Sequence, residues 1–263
     1  MFPIKDNIPT DRFPFVTAAL ILANFIVYIL AIRHGGSFIS GPSDQEVFKY
    51  GAIPVTLTHP GVHCREIVVP QLTEAGVTQQ LAEQCARGIP AQIPTWSTMF
   101  TAMFMHASIL HIGGNMLFLW IFGNNVEDAM GPVKYLAFYI VGGLAALWLQ
   151  VAVGPNSPAP TLGASGAIAA VLGGYIVLYP RARVLTLIFI IFFVTVFELP
   201  AWVMLGVWFA QQAVFGAAGL TNPGGGGGGV AYFAHVGGFI FGLLAIKLLA
   251  TRRKEVPPPY PVY

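Results

Sequence analysis

The chain has 263 residues, 56% of them hydrophobic and only 9% charged, with a formal net charge of +2 and a mean hydropathy of +0.70. Soluble domains carry about a quarter charged residues, so a soluble globular protein, a disordered chain and a charged coiled coil are excluded. A polytopic membrane protein is left, and the lack of a basic stripe argues against nucleic-acid binding.

The charged residues leave gaps at 13–32, 88–126, 135–180, 184–197 and 199–246. A membrane span needs about 20 apolar residues. The first two gaps therefore hold one helix each, the two longest hold two each, and 184–197 is too short to cross. An all-α bundle of six transmembrane helices is predicted, at 13–32, 104–123, 134–153, 164–179, 199–218 and 231–250. Residues 1–12 precede this membrane domain of residues 13–250, and a Pro-rich tail, 251–263, follows it. Within the tail, Pro257–Tyr263 reads as polyproline.

A long external loop, 33–97, follows the first span. Gln71–Arg87 carries helical spacing of Leu72, Ala75 and Leu81. Cys64 and Cys85, the only cysteines, both lie in this loop and are read either as a disulfide or as two free thiols. The His and Cys spacing there supports no metal site. Asn124–Val133 is predicted as a short turn, and Gly154–Pro160 and Leu220–Gly229 as external turns. Val184–Phe197, between Pro180 and Pro200, reads as either an interfacial helix or a hairpin.

Six spans put both termini on one side. Lys5, Arg12, Lys134, Arg181, Arg183, Lys247, Arg252, Arg253 and Lys254 share that side, against Arg33, Lys49, Arg65 and Arg87 on the other. The positive-inside rule makes the termini cytoplasmic. The first apolar run is too long for a cleaved signal and is expected to stay as an anchor. The compact chain suggests a bacterial plasma membrane.

Polar groups inside a bilayer are expensive and mark function. The second, fourth and sixth spans run in the same direction, and each carries polar residues near its N-terminal end. The second holds His111 and Asn115, four apart on one face. The fourth opens with Ser165, where free backbone N–H groups and the helix dipole favour negative charge. The sixth holds His235 beside a stripe of Ala234, Gly238 and Gly242. Small residues also line the fourth span, as Ala169 with Gly173 and Gly166 with Ala170, so the two helices can approach closely. Each residue alone reads as packing or inter-helix glue. Together, a nucleophile at a helix start, a histidine base and two further donors at one depth suit acyl transfer. No carboxylate lies at that depth, which implies a dyad.

With these residues in place, the chain resembles a rhomboid intramembrane serine protease. The resemblance covers roughly residues 95–250. It rests on His106, His111 and Asn115, then on Phe122, Gly123, Glu127 and Gly131. The Gly-x-Ser-Gly run of Gly163, Ser165 and Gly166 follows, and last come Ala234, His235, Gly238 and Gly242. It implies that Ser165 attacks the scissile carbonyl and that His235 moves the proton. His111, Asn115 and the Ser165 N–H would form the oxyanion hole. It implies single-span membrane proteins as substrates within the lipid bilayer, and no cofactor. His106, five residues from His111, is expected to be structural, and Glu127 to cap or tie the turn after the second span.

Two positions depart from the family pattern. Ala169 stands where an aromatic often packs on the catalytic histidine, and Trp96 is followed by Ser97 instead of Arg. The hexaglycine Gly224–Gly229 is read as a mobile lid or an inert linker. In the same reading the fifth span is a lateral gate that Trp202, Trp208 and Phe209 could line. The alternatives to a protease are a non-catalytic rhomboid-like escort protein, which would typically lack the serine or histidine, and a transporter. No intramembrane carboxylate supports the transporter.

Overall fold

The computed structural model describes residues 2–59, 93–190, 193–221 and 230–252. Gln71–Arg87, Cys64, Cys85, Gly224–Gly229 and Pro257–Tyr263 lie outside the described residues. A first helix α1 (Phe15–Ile32) is followed by two short ones, α2 (Asp44–Tyr50) and α3 (Pro54–Thr58). Helix α4 (Thr95–Thr101) runs into a 3-10 turn, Ala102–Phe104. Helix α5 (Ile109–Phe118) continues through a π-helical turn, Leu119–Gly123, into α6 (Asn124–Met130). Then come α7 (Pro132–Val153), α8 (Ser165–Leu178), α9 (Ala201–Thr221) and α10 (Tyr232–Leu249). Helices α1, α5–α6, α7, α8, α9 and α10 lie in order near the predicted positions, but they do not amount to six spans by length and apolar character.

Among the described residues, α1, α7, α9 and α10 are long and apolar enough to cross a membrane. α4 and α5–α6 form a pair bent by 78° that counts as a fifth candidate span. α8 has 14 residues, about 21 Å at 1.5 Å per residue, against a hydrocarbon core of about 30 Å. At least one of its ends must therefore stop within the apolar layer, where open backbone groups need protein or water around them. Every residue from Gly166 to Tyr175 is buried, because α7, α10 and the α5–α6 segment enclose the helix. A helix apolar on all sides suits such a position.

The sequence reading of Asn124–Val133 as a turn is corrected. The helix runs on to Met130, and the chain reverses only at Gly131, with φ of 82°, before Pro132 opens α7. The left-handed glycine and the N-terminal proline are the stop and start signals. Glu127 is corrected with it. Its carboxylate accepts from the Val16 N–H (2.9 Å), the Thr17 N–H (2.8 Å) and the Thr17 hydroxyl (2.8 Å). Pro14 precedes α1 and offers no side-chain cap. Glu127 therefore caps α1 from a distant helix, where a negative charge complements the open N–H groups.

Val184–Phe197 forms a hairpin. β2 (Arg183–Ile190) and β3 (Phe193–Pro200) pair antiparallel in unbroken register from Arg183↔Pro200 to Ile190↔Phe193. Its β-branched and aromatic residues favour strands. A third strand, β1 (Phe2–Asp6), pairs antiparallel with β2. The sequence reading had assigned residues 1–12 no structure. Pro3, which lacks a donor, sits at the irregularity in register on this edge strand.

β1 is also pinned to the helices. The buried Asp6 carboxylate accepts from the Asn125 amide at 2.7 Å and from the Tyr175 hydroxyl near the end of α8. Burial pushes the Asp6 carboxyl up to about 6. The folded chain therefore binds more protons than the unfolded chain between the ordinary value of 3.8 and about 6. Stability falls as pH rises through that window, by roughly 3 kcal/mol at neutrality. Asp6→Asn keeps an acceptor for both donors and cannot ionise. It is expected to raise the unfolding temperature in detergent at neutral pH, with the gain vanishing near about pH 4. A gain independent of pH would contradict this assignment.

Candidate active site

Ser165 is the first residue of α8, and the turn before it is built by glycine. Gly163 has φ of 118°, and its N–H donates to the Ala102 carbonyl at 2.8 Å. A Cβ at Gly163 would meet His111 Nε2 at 2.9 Å, so an L side chain there is both strained and obstructed. The first loop braces this turn: Ala52 and Thr161 exchange backbone hydrogen bonds of 2.9 and 2.8 Å, and the Thr58 hydroxyl donates to the Pro155 carbonyl at 2.8 Å.

His235 sits in the first turn of α10, whose Ala234 N–H donates to the Gln150 side chain of α7 at 3.2 Å. His235 Nε2 lies 2.8 Å from Ser165 Oγ. Glycine makes that approach possible. A Cβ on Gly238 would lie 2.1 Å from the Gly166 carbonyl oxygen, and one on Gly242 would lie 2.0 Å from that of Ala170. The backbones of α8 and α10 thus touch where the sequence carries its facing small-residue stripes. Gly166 packs with Ala146 and Ala234 nearest its own missing Cβ.

The departure at Ala169 is answered from α9. The Trp208 ring lies 5.7 Å from the His235 ring at 36°, and Phe209 stacks on Phe239 at 4.5 Å. On the other side of the imidazole, His235 Nδ1 is 2.8 Å from Gln212 Oε1. The sequence reading missed Gln212. The available signal was the pair of amides Gln211 and Gln212 in the middle of a mostly apolar span, the second of them one turn after Trp208. Trp96, at the second departure, is 64% exposed and carries no part of the site.

Ser108 caps α5, its hydroxyl accepting from the His111 N–H at 3.1 Å. The Ala107 N–H donates to His111 Nδ1 at 3.3 Å. A backbone N–H can only donate, so Nδ1 is the acceptor and the neutral ring carries its hydrogen on Nε2, toward Gly163. One turn on, Asn115 Nδ2 is buried with no hydrogen-bond partner. His111, Asn115, Ser165 and His235 all line one cavity of about 500 Å³, together with Trp208, Phe118 and Ile168. His106 is buried outside that lining, its Nδ1 3.3 Å from the Phe104 carbonyl and its ring 5.1 Å from that of His111. Glu127 lies with the α1 N-terminus, away from this cavity. Among the described residues, no group of three or more His, Cys, Asp or Glu is placed to hold a metal ion.

The arrangement offers a hydroxyl against an imidazole nitrogen and two N–H donors facing the same space. It also offers the open N–H groups of a helix start. These are the parts needed to form and stabilise a tetrahedral oxyanion.

A family model described as Rhomboid domain matches residues 94–252, which is more than half of the chain. Among curated proteins, the chain is 34% identical over 147 residues to "Rhomboid protein 1, mitochondrial" of Saccharomyces cerevisiae, covering 54% of this chain and 38% of that protein. It is 30% identical over 159 residues to "Presenilin-associated rhomboid-like protein, mitochondrial" of Mus musculus, covering 59% and 38%. It is 36% identical over 78 residues to "Rhomboid protease GluP" of Bacillus subtilis, covering 30% and 15%. The matched stretches thus span well under half the length of each relative.

Proposed function

The chain belongs to the rhomboid family, and from that premise we propose that it is a serine endopeptidase acting within the bilayer on single-span membrane proteins. Ser165 Oγ attacks the scissile carbonyl carbon as its proton passes to His235 Nε2. Negative charge collects on the carbonyl oxygen, which accepts from His111 Nε2–H, Asn115 Nδ2–H and the Ser165 N–H. Collapse of this adduct breaks the C–N bond, and the imidazolium gives its proton to the departing amine. Water entering the cavity then attacks the Ser165 ester, with His235 again as base, and releases the acid product. A substrate helix must open locally for its carbonyl to enter, because a hydrogen-bonded helix hides that group.

The observation that carries this reading is the 2.8 Å contact of His235 Nε2 with Ser165 Oγ, in a cavity where Asn115 keeps a buried, unpaired donor. An unsatisfied buried N–H is costly, and a developing oxyanion would satisfy it. The end of the fold bearing β1 and residues 251–252 lies opposite Ser165, since Thr251 and Arg252 donate to the Ala129 carbonyl. From the distribution of Lys and Arg along the sequence, we propose that both termini are cytoplasmic. The expected bacterial plasma membrane is not retained, since the relatives named above include yeast and mouse mitochondrial proteins.

The test is cleavage of a purified single-span protein by the chain in liposomes. Wild type is expected to cut and Ser165→Ala not to. Asn115→Ala is expected to lower kcat by about 10²–10³-fold with little change in KM. Cleavage that survives Ser165→Ala would sink the mechanism. A wild type that binds the substrate but never cuts it would favour the escort reading.

A further inference from the structure

Gln212 touches the histidine on the side away from the serine, and its amide has only one consistent orientation. Gln212 Nε2 lies 3.3 Å from the Trp208 carbonyl oxygen, one turn earlier on α9. A carbonyl can only accept, so the NH₂ end must face it. The amide oxygen therefore faces His235 Nδ1, at 2.8 Å. An amide oxygen can also only accept, so Nδ1 carries the hydrogen. The neutral imidazole then has its lone pair on Nε2, the nitrogen 2.8 Å from Ser165 Oγ. Gln212 is 7% exposed, so bulk water does not compete for either end. We propose that Gln212 is a positioning residue. Oriented by the Trp208 carbonyl, it locks His235 in the tautomer and ring angle that let Nε2 accept the serine proton.

The inference rests on the reading of Ser165 as nucleophile and His235 as base. In that reading Gln212 holds the place that an aspartate takes in a serine triad, but takes no charge and no proton. The proton from Ser165 stops on His235 Nε2, and the amide oxygen keeps accepting from Nδ1–H as the ring becomes charged. The groups facing the ring are Ser165 from α8, Trp208 and Gln212 from α9, and His111 across the cavity from α5. Among the described residues none of these is a carboxylate, and the support at Nδ1 is the neutral amide oxygen of Gln212.

The experiment compares full-length wild type, Gln212→Met and Gln212→Glu in liposomes against one single-span substrate. Methionine fills the same space without an acceptor of useful strength. It is expected to lower kcat by about 10–100-fold with KM within about twofold, because fewer rings present the correct tautomer. Gln212→Glu restores an acceptor and is expected to recover activity relative to Gln212→Met. A carboxylate there also favours the imidazolium, so the acid limb of its pH–rate profile is expected to move to higher pH by about one unit. A merely structural role predicts the opposite order, since a buried carboxylate is costlier than a methionine. Unchanged kcat in Gln212→Met, or a Gln212→Glu form no better than Gln212→Met, overturns the proposal.

The nitrogen-15 spectrum of wild type, assigned against His235→Ala, reads the tautomer without relying on the Gln212 variants. A proton on Nδ1 is expected, and a proton on Nε2 overturns the assignment. A wild type inert to substrate would instead count against the protease reading, while the spectrum would still decide the tautomer.

Discussion

His235→Ala is expected to reduce kcat on the order of 10⁴–10⁶-fold while leaving KM within a small factor, since serine and base act as one unit. The size follows from how few bases the site contains. Among the described residues lining the cavity, the other imidazole is that of His111, whose Nδ1 already accepts from the Ala107 N–H and whose Nε2 carries the hydrogen. That ring is set to donate, and it cannot take the serine proton at Nε2. The described residues of the cavity lining include no carboxylate to substitute. Steady-state cleavage in liposomes over a range of substrate densities separates kcat from KM. A loss of less than about tenfold would mean that a different group deprotonates Ser165.

Gly242→Ala is expected to destabilise the fold by about 3 kcal/mol and to remove most activity with it. The added methyl would stand 2.0 Å from the Ala170 carbonyl oxygen and 2.9 Å from the Gly174 nitrogen. Both are backbone atoms of α8, so no side-chain rotation relieves the overlap. The helices must separate, and the Ser165–His235 contact spans that same interface. Gly206→Ala is the control, because a Cβ there meets nothing within 4 Å. It is expected to leave stability unchanged or slightly raised through better helix propensity. Thermal unfolding of the three proteins in one detergent measures the difference. Equal unfolding temperatures for Gly242→Ala and wild type would contradict the backbone contact between α8 and α10.

Much of this site was legible in the sequence because bilayer and helix geometry leave few options. Charge-free gaps set where helices could lie, and three parallel-running helices put Ser165, His235, His111 and Asn115 at one depth. The stripes of small residues on the fourth and sixth spans pointed to the pair that meets most closely. What stayed hidden was long-range. Glu127 looked like a turn residue because its α1 partners, Val16 and Thr17, are over a hundred residues away in sequence. Phe2–Asp6 showed no strand signal of its own, being five residues with a proline, and is a strand only because β2 offers an edge. Gln212 was passed over because an amide carries no charge and left no mark in a charge map. Yet it touches the central histidine, while no carboxylate stands among the described residues of the cavity lining.

The most direct measurement of the central claim is covalent. Wild type in liposomes is treated with a serine-reactive fluorophosphonate, and the modified residue is located by mass spectrometry of its peptides. One adduct is expected, on Ser165, formed in wild type and lost in His235→Ala. Modification at another residue, or labelling of Ser165 at the same rate without His235, would contradict it.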